Sequence, residues 1–306
     1  MSVRNVAAPL AGLGVALAVA GLVAPHVLLT GARLPLALGD VTWTIEDPDG
    51  TRDGRPAPVT RQLHMEINDP ADDDTASVRV GDTLRAGEAG SDFDNLVTAS
   101  TWSYVMDRVS GAAVGDAELA AVMAMPATQV RLDGAWLKLP APAGEQTVDV
   151  FDPVLRGAAP AEYAGEEEIA GRTVVRYTQH IAPTNVAQRY ADPRNTLTVD
   201  GARTFLFHAA DRELLVDRET GLVVGIDERV DDYYGDAAGR GVRNVVTYDG
   251  KADREDVETL VSRIGDAQPR LASRVLWRGV AWTGALLALV GLAIALISLV
   301  RSARRV

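Results

Sequence analysis

The chain has no cysteine and no Asn-x-Ser/Thr sequon. The first absence excludes disulfides, thiolate catalysis and cysteine metal ligands. The second excludes N-linked glycans. Lysine occurs only at 138 and 251, against 28 arginines, and aromatic residues are 5% of the chain. Both ends lack acid. All 42 Asp and Glu lie between positions 31 and 274, alongside 25 of the 30 Lys and Arg, so this middle carries −17 of charge within a total of −12. An acidic body excludes a nucleic-acid partner, because binding phosphates needs a basic surface.

Chemical motifs are also missing. There is no Gly-x-Ser-x-Gly elbow, phosphate loop, His-Glu-x-x-His or complete dinucleotide glycine motif. Of the four histidines, His26 lies in an apolar run, and His64, His180 and His208 lie far apart in strand-like runs. Those three could converge as a zinc trio, but separate strand histidines are the simpler reading. Asp47 and Asp49 begin a calcium-loop pattern, yet its twelfth position, 58, is Pro, so "DPDGTRDG" and "DPADDDT" read as solvated turns. No catalytic, cofactor-binding or metal-binding residue is assigned, and no enzymatic activity is expected.

What the ends contain is apolar sequence. Residues 6–29 would extend about 36 Å as a helix, beyond the roughly 30 Å hydrocarbon core. Residues 279–300 are also free of charge, with Trp277 and Trp282 at an interfacial position. "AVAG" at 18–21 offers a signal-cleavage site, but the apolar run continues eight residues further, which favours an uncleaved anchor. Two spans place both termini on one side, expected to be cytoplasmic, with the long acidic body exported. Gly12, Ala16 and Ala20 on the first span, and Ala281, Gly284, Ala288, Gly291 and Ala295 on the second, form small-residue stripes suited to helix pairing or homo-oligomer contacts.

Between the spans, short β-branched and aromatic runs recur at 41–45, 59–65, 95–106, 136–139, 173–181, 196–199, 203–208, 213–216, 222–226 and 242–248, separated by Gly, Pro, Asp and Asn. In "VTRQLHM", Val59, Leu63 and Met65 alternate with Thr60, Gln62 and His64, the period of a half-buried strand. The expected fold is mainly β (α+β): a large curled, barrel-like antiparallel sheet between terminal transmembrane helices. Two soluble helices are expected, one at 116–124 and one from an N-cap at Asp253, whose Val257, Leu260, Val261, Ile264 and Leu271 recur at helical spacing toward Pro269. The division is an anchor at 1–30, a β-rich body at 31–252, a stem at 253–274, and a second span with a basic tail at 275–306.

One phrase occurs twice. "DRVSGAAVG" (107–115) and "DRETGLVVG" (217–225) share Asp, Arg, Ser/Thr, Gly, Val and Gly at six of nine positions. Asp and Ser/Thr side chains close local turns, and Gly accepts positive φ. The repeat therefore predicts equivalent hairpins of a duplicated sheet; a split Asp107–Asp217 catalytic or metal pair is the lesser reading.

Residues 151–186, "FDPVLRGAAPAEYAGEEEIAGRTVVRYTQHIAPTNV", carry a spaced set of Asp152, Pro160, Tyr163, Gly165, Glu167, Gly171 and Tyr177. That set resembles the actinobacterial porin-A-like family, as does "VDRETGLVVGIDERV", and the likeness extends to both terminal spans. It implies a two-span envelope protein with a large extracytoplasmic domain, some members being channel formers. The layout is also similar to class B scavenger receptors, which carry lipid through a β-rich ectodomain. Three functions follow as expectations, in order: non-enzymatic binding or transfer of a hydrophobic, lipid-like envelope molecule; a channel-forming porin; an envelope hydrolase. Phe205, Phe207, Trp102 and Tyr104 are candidate core or cavity residues. The expected partners are the lipid bilayer and such a ligand.

Overall fold

The computed structural model describes residues 4–28, 33–88, 91–121, 126–267 and 274–303. It divides into a helical unit, Met1–Thr30 with Gln268–Val306, and a sheet-built unit, Gly31–Ala267. The sheet begins with β1 (Asp40–Asp47), β2 (Thr51–Arg52), β3 (Arg55–Pro56), β4 (Val59–Ala71) and β5 (Thr75–Ala86). It continues with β6 (Leu96–Asp107), β7 (Ala117–Ala120), β8 (Thr128–Val130), β9 (Val148–Asp152) and β10 (Gly157–Ile169). The last strands are β11 (Arg172–Asn185), β12 (Thr196–Val199), β13 (Ala202–Asp217), β14 (Val223–Gly235) and β15 (Gly241–Ala252). The helices are α1 (Arg4–Leu28), α2 (Asp92–Asn95), α3 (Arg254–Ala267) and α4 (Arg274–Ala303).

The main path runs β8-β7-β6-β5-β4-β1-β15-β14-β13-β11-β10-β9. This is two antiparallel six-strand meanders laid head to tail, joined where Ile45 and Glu46 of β1 pair with Ala252 and Lys251 of β15. The repeated phrase follows the fourth strand of each meander, β6 and β13. Both copies fold into the same kind of turn. Asp107 Oδ1 accepts from the amides of Val109 and Ser110 and from the Ser110 hydroxyl. Asp217 Oδ2 accepts from the Thr220 amide and hydroxyl. Gly111 and Gly221 take φ of +76° and +72°, and each donates its amide to the carbonyl of its own Asp. Local turn chemistry thus accounts for the repeat.

The path does not close among the described residues, but it curls. Trp102 of β6 meets Phe151 of β9 edge-on at 5.5 Å, and Trp136 touches both at 5.8 Å. These rings stand inside one large apolar core that includes Leu63, Val80, Tyr177, Leu214 and Ile226. Helix α3 adds Val257, Leu260, Val261 and Ile264 to the same core. The helix expected as a stem is therefore packed into the body, where the Arg263 guanidinium also donates to the carbonyls of Leu38 and Asp40. Leu271 and Pro269 lie outside the described residues.

Several elements differ from the sequence expectations. The helix expected at 116–124 is strand β7, with residues 122–125 outside the described set. Pairing of Leu119 with Trp102 and burial of Ala117 override the strong helix preference of the alanines, as tertiary packing commonly does over so short a run. The runs 203–208 and 213–216 are one 16-residue strand, β13. Strands β5 and β10 carry charges that hide their period; Glu162, Glu166 and Glu168 of β10 are simply on the exposed side. The 136–139 run is no regular strand, but it makes one bridge, Lys138 to Leu222.

In the helical unit, α1 and α4 pack antiparallel. A Cβ on Gly14 would meet the Ala288 backbone, one on Gly21 would meet Ala281, and one on Gly291 would meet Ala11. The stripe expected on α4 is the contact face. The stripe expected on α1 is not: Gly12 has nothing within 4 Å and Ala16 and Ala20 are exposed, while Ala11, Gly14, Ala18 and Gly21 form the seam. Leu276–Ile297 is long and apolar enough to cross a membrane; the described apolar stretch of α1, Pro9–Ala24, is shorter. One candidate span is therefore established where two were expected.

Candidate functional site: a charged layer across the sheet interior

Inward positions of five strands share one arrangement. A polar residue separates a member of the large core from a member of a second, smaller apolar cluster. On β4 the order is Leu63, Arg61, Val59; on β5, Val80, Asp82, Leu84; on β11, Tyr177, Gln179, Ile181; on β13, Leu214, Arg212, Ala210; on β14, Ile226, Glu228, Val230. The period of two keeps these residues on one face, and the cross-strand register aligns Arg61 beside Leu84 and Arg212 beside both Gln179 and Glu228. A charged layer therefore crosses the interior between two apolar clusters.

The layer is a continuous ion-pair chain. Arg61 holds Asp82 through Nε at 3.1 Å and Nη2 at 3.0 Å, and donates Nη1 to both Glu228 oxygens at 2.9 and 2.8 Å. Glu228 also accepts from Arg212 Nε at 2.9 Å and from the Tyr248 hydroxyl at 2.6 Å. Arg212 donates to Gln179 Oε1 at 3.0 Å and reaches Asp152 Oδ2 at 2.7 Å. His208 lies between Asp152 Oδ2, 3.3 Å from Nε2, and Asp232 Oδ1, 2.6 Å from Nδ1. Both imidazole nitrogens face carboxylates, so the ring holds two protons. Burial alone would lower its pKa, but Asp152 and Asp232 outweigh that and push it up to about 10. Burial would raise Glu228, yet Arg61 and Arg212 hold it down to about 2. Asp152, despite burial, is held below the usual carboxylate range by His208 and Arg212.

Buried ion pairs of this kind contribute little net stability relative to apolar packing, so the layer has another use or carries specificity. It faces a cavity of about 370 Å³. Arg61, Asp82, His208, Arg212 and Asp232 supply its charged lining beside the layer; Leu84, Trp102, Leu119, Leu206, Val230 and Val245 line its apolar walls. Arg156 and Arg194 line it too, but both are committed to Asp192, and the Arg156 guanidinium stacks 3.7 Å from the Tyr190 ring centroid. A pocket of this size, mostly apolar with a few polar groups, suits a small ligand.

The structure separates the sequence candidates. Trp102 lies between core and cavity, and Tyr104 is buried in the core. Phe205 and Phe207 alternate with the cavity-lining Leu206 and so take the opposite face, where Phe207 stacks on Tyr233 at 5.4 Å. The three strand histidines have separate partners: His64 with Thr42 and Glu66, His180 with Asp211 on the exposed face, and His208 in the charged layer. Among the described residues no group of three or more His, Cys, Asp or Glu could hold a metal ion. Asp107 and Asp217 close their own turns, and Asp47 accepts from the amides of Asp49 and Asp249. Sequence reasoning missed the layer. Its one local trace, charge in the apolar phase of a strand as at Arg61, does not by itself name a partner.

The family model described as Porin PorA matches residues 6–293. No curated protein matches the chain.

Proposed function

The chain belongs to the porin PorA family, and from that premise we propose that it is a membrane-anchored protein of the cell envelope. Its exported body binds a hydrophobic, lipid-like envelope molecule, without catalysis, in the cavity beside the charged layer. The supporting observation is that cavity: apolar walls at Leu84, Leu119, Leu206 and Val230 beside the paired charges of Arg61, Asp82, His208, Arg212 and Asp232. Apolar contact there supplies affinity at about 25 cal/mol per Å² removed from water. The anchor is proposed to be a two-span hairpin with both termini cytoplasmic. What supports it is the close α1–α4 seam together with the exposed apolar side chains of both helices, among them Leu13, Leu22, Trp282 and Leu289. Such surfaces suit lipid and not water. Full-length protein purified in detergent should carry an extractable lipid visible by mass spectrometry, and a Leu206→Trp form, with the cavity filled, should lose it. Protein that neither retains nor exchanges a hydrophobic molecule refutes the reading.

The family also favours a second reading, a channel. A route through the sheet is disfavoured by two facts. The strands reach 12–16 residues, longer than the sequence runs suggested, but their outward positions expose Glu162, His180, Asp211, Arg229 and Asp249. An arginine facing lipid costs about 2–4 kcal/mol near the midplane and an acidic side chain less, so a whole row of such groups is unfavourable there. The interior is also filled by Trp102, Trp136 and Phe151. A channel of this chain would then be an assembly of its helices. Conductance across planar bilayers by full-length protein, and by a form lacking both helices, separates the two readings: only a helix-dependent conductance supports the channel.

A further inference from the structure

The cavity beside the charged layer has an inner end and a mouth. Leu84, Trp102, Leu119, Val230 and Tyr248 of its lining are buried, whereas Val97, Val154 and Leu206 are half-buried and Thr98 and Ala99 are exposed. The mouth is where the curled sheet stays open. Strand β7 pairs with β6 only at Thr101, Trp102 and Ser103, so among the described residues 97–100 have no strand on that side. Val154 borders the same gap from the turn between β9 and β10.

The inner end is closed. Trp102 stands edge-on to Trp136 and Phe151 in the large core. Beside it runs the charged layer, whose members satisfy one another: Arg61 with Asp82 and Glu228, Arg212 with Asp152 and Glu228, His208 with Asp152 and Asp232. Arg156 and Arg194 are committed to Asp192. Every charged residue of the lining thus has a partner of opposite sign. A polar head gains nothing by entering and keeps its hydration at the mouth. An apolar chain entering tail first meets a stop, because passing further means separating buried ion pairs. Volume sets how much chain fits. A methylene takes about the room of a water molecule, roughly 30 Å³, so the cavity of about 370 Å³ holds one chain of about twelve carbons. No space remains for a second chain.

We infer that the ligand is a single-chain amphiphile, inserted tail first through the gap between β6 and the turn after β9, with its head left outside and the charged layer as the stop that limits the enclosed chain. The inference rests on the lipid-binding reading above and specifies it.

The test uses full-length protein in digitonin micelles, which supply no straight chain of their own, and native mass spectrometry to read what stays bound. The probes are saturated acids from octanoate to octadecanoate, the 1-acylglycerols of the same chains, and dihexadecanoyl phosphatidylcholine. Specific retention is the difference between wild type and the cavity-filled Leu206→Trp form. A micelle already shields a methylene from water, so retention should stay level while the chain fits. Beyond about twelve carbons it should fall about fourfold per added carbon, because each further methylene is left in water at about 0.8 kcal/mol. The break should come at the same length for both heads, and the phosphatidylcholine should not be retained. Leu84→Ala enlarges the inner end and should move the break outward by about three carbons, the number of side-chain carbons removed; Leu119→Ala serves should the first fail to fold. Specific retention of the phosphatidylcholine, or no break with length, overturns the single-chain stop and leaves the lipid site standing. A break that stays put in the enlarged variant overturns the stop as well. Equal retention by wild type and Leu206→Trp for every probe overturns lipid binding itself.

Discussion

Gly111 and Lys138 are in main-chain contact: a Cβ on Gly111 would stand 1.7 Å from the Lys138 carbonyl oxygen. Gly221, its counterpart in the second copy of the turn, bears the same relation to Leu139, at 2.1 Å. The two repeated turns thus grip consecutive residues of one segment. Main-chain atoms cannot swing aside as a side chain does, so Gly111→Ala and Gly221→Ala should each destabilise the body by more than about 3 kcal/mol. Gly115 has φ +89° but open space around it. Gly115→Ala should show the backbone penalty alone, about 1 kcal/mol. Urea unfolding followed by tryptophan fluorescence compares the three, and equal losses would refute the close-packing argument.

Lys138 also sets a pH dependence. It is wholly buried, donating to the carbonyls of Val109 at 2.6 Å and Leu139 at 2.8 Å. Burial lowers its pKa from 10.5 to about 7, against the attraction of Asp107 and Asp217. Between pH 7 and 10.5 the unfolded chain therefore keeps a proton that the folded chain has lost, and this contribution makes stability rise with pH. His208 works the other way: its folded value near 10 exceeds its ordinary 6.5, so its contribution is full below 6.5 and lost as pH climbs through 10. Each slope reaches at most about 1.4 kcal/mol per pH unit, and over pH 7–10 they oppose. Relative to wild type, Lys138→Met should tilt stability downward with rising pH and His208→Gln should tilt it upward. Parallel profiles for both variants would show that neither group is linked to folding.

The charged layer should reveal itself through non-additivity. Arg61→Ala leaves Glu228, with no exposed side-chain surface, short of a cation, and should cost about 3–5 kcal/mol. Glu228→Gln should likewise destabilise, since Arg61, Arg212 and Tyr248 all donate to that carboxylate. The double replacement should be less damaging than the two losses added, by about 2 kcal/mol. A cycle that closes additively would mean the pair is not coupled.

The repeated turn was legible from sequence because every group that shapes it lies within five residues: Asp107 to Gly111, Asp217 to Gly221. The body's strand character was legible from β-branched alternation, and α3 from its heptad-like apolar spacing. The charged layer was not legible, for a reason of distance. Arg61 stands in the apolar phase of "VTRQLHM", between Val59 and Leu63, but its partner Glu228 is 167 positions away. Nothing local distinguishes an arginine that finds a buried carboxylate from one that reaches solvent. The meander order, β1 closing on β15, brings them together. The cavity depends on the same curling. On α1, alanine and glycine are dense enough to draw several small-residue stripes, and only the position of α4 selects Ala11, Gly14, Ala18 and Gly21 over Gly12, Ala16 and Ala20.

That selection can be tested directly, because the chain has no cysteine to interfere with labelling. Leu13 and Leu289 are exposed on α1 and α4, so spin labels attached at Leu13→Cys and Leu289→Cys stay clear of the seam. A Cβ on Gly284 would fall 2.3 Å from the Ala18 amide nitrogen, whereas one on Gly12 meets nothing within 4 Å. In lipid, close approach of small residues is what replaces the hydrophobic drive for helix association. Gly284→Leu should therefore broaden and lengthen the interlabel distance distribution, while Gly12→Leu should leave it narrow. The reverse pattern would place the contact on the Gly12 face, and identical narrow distributions would mean that the seam tolerates a full side chain.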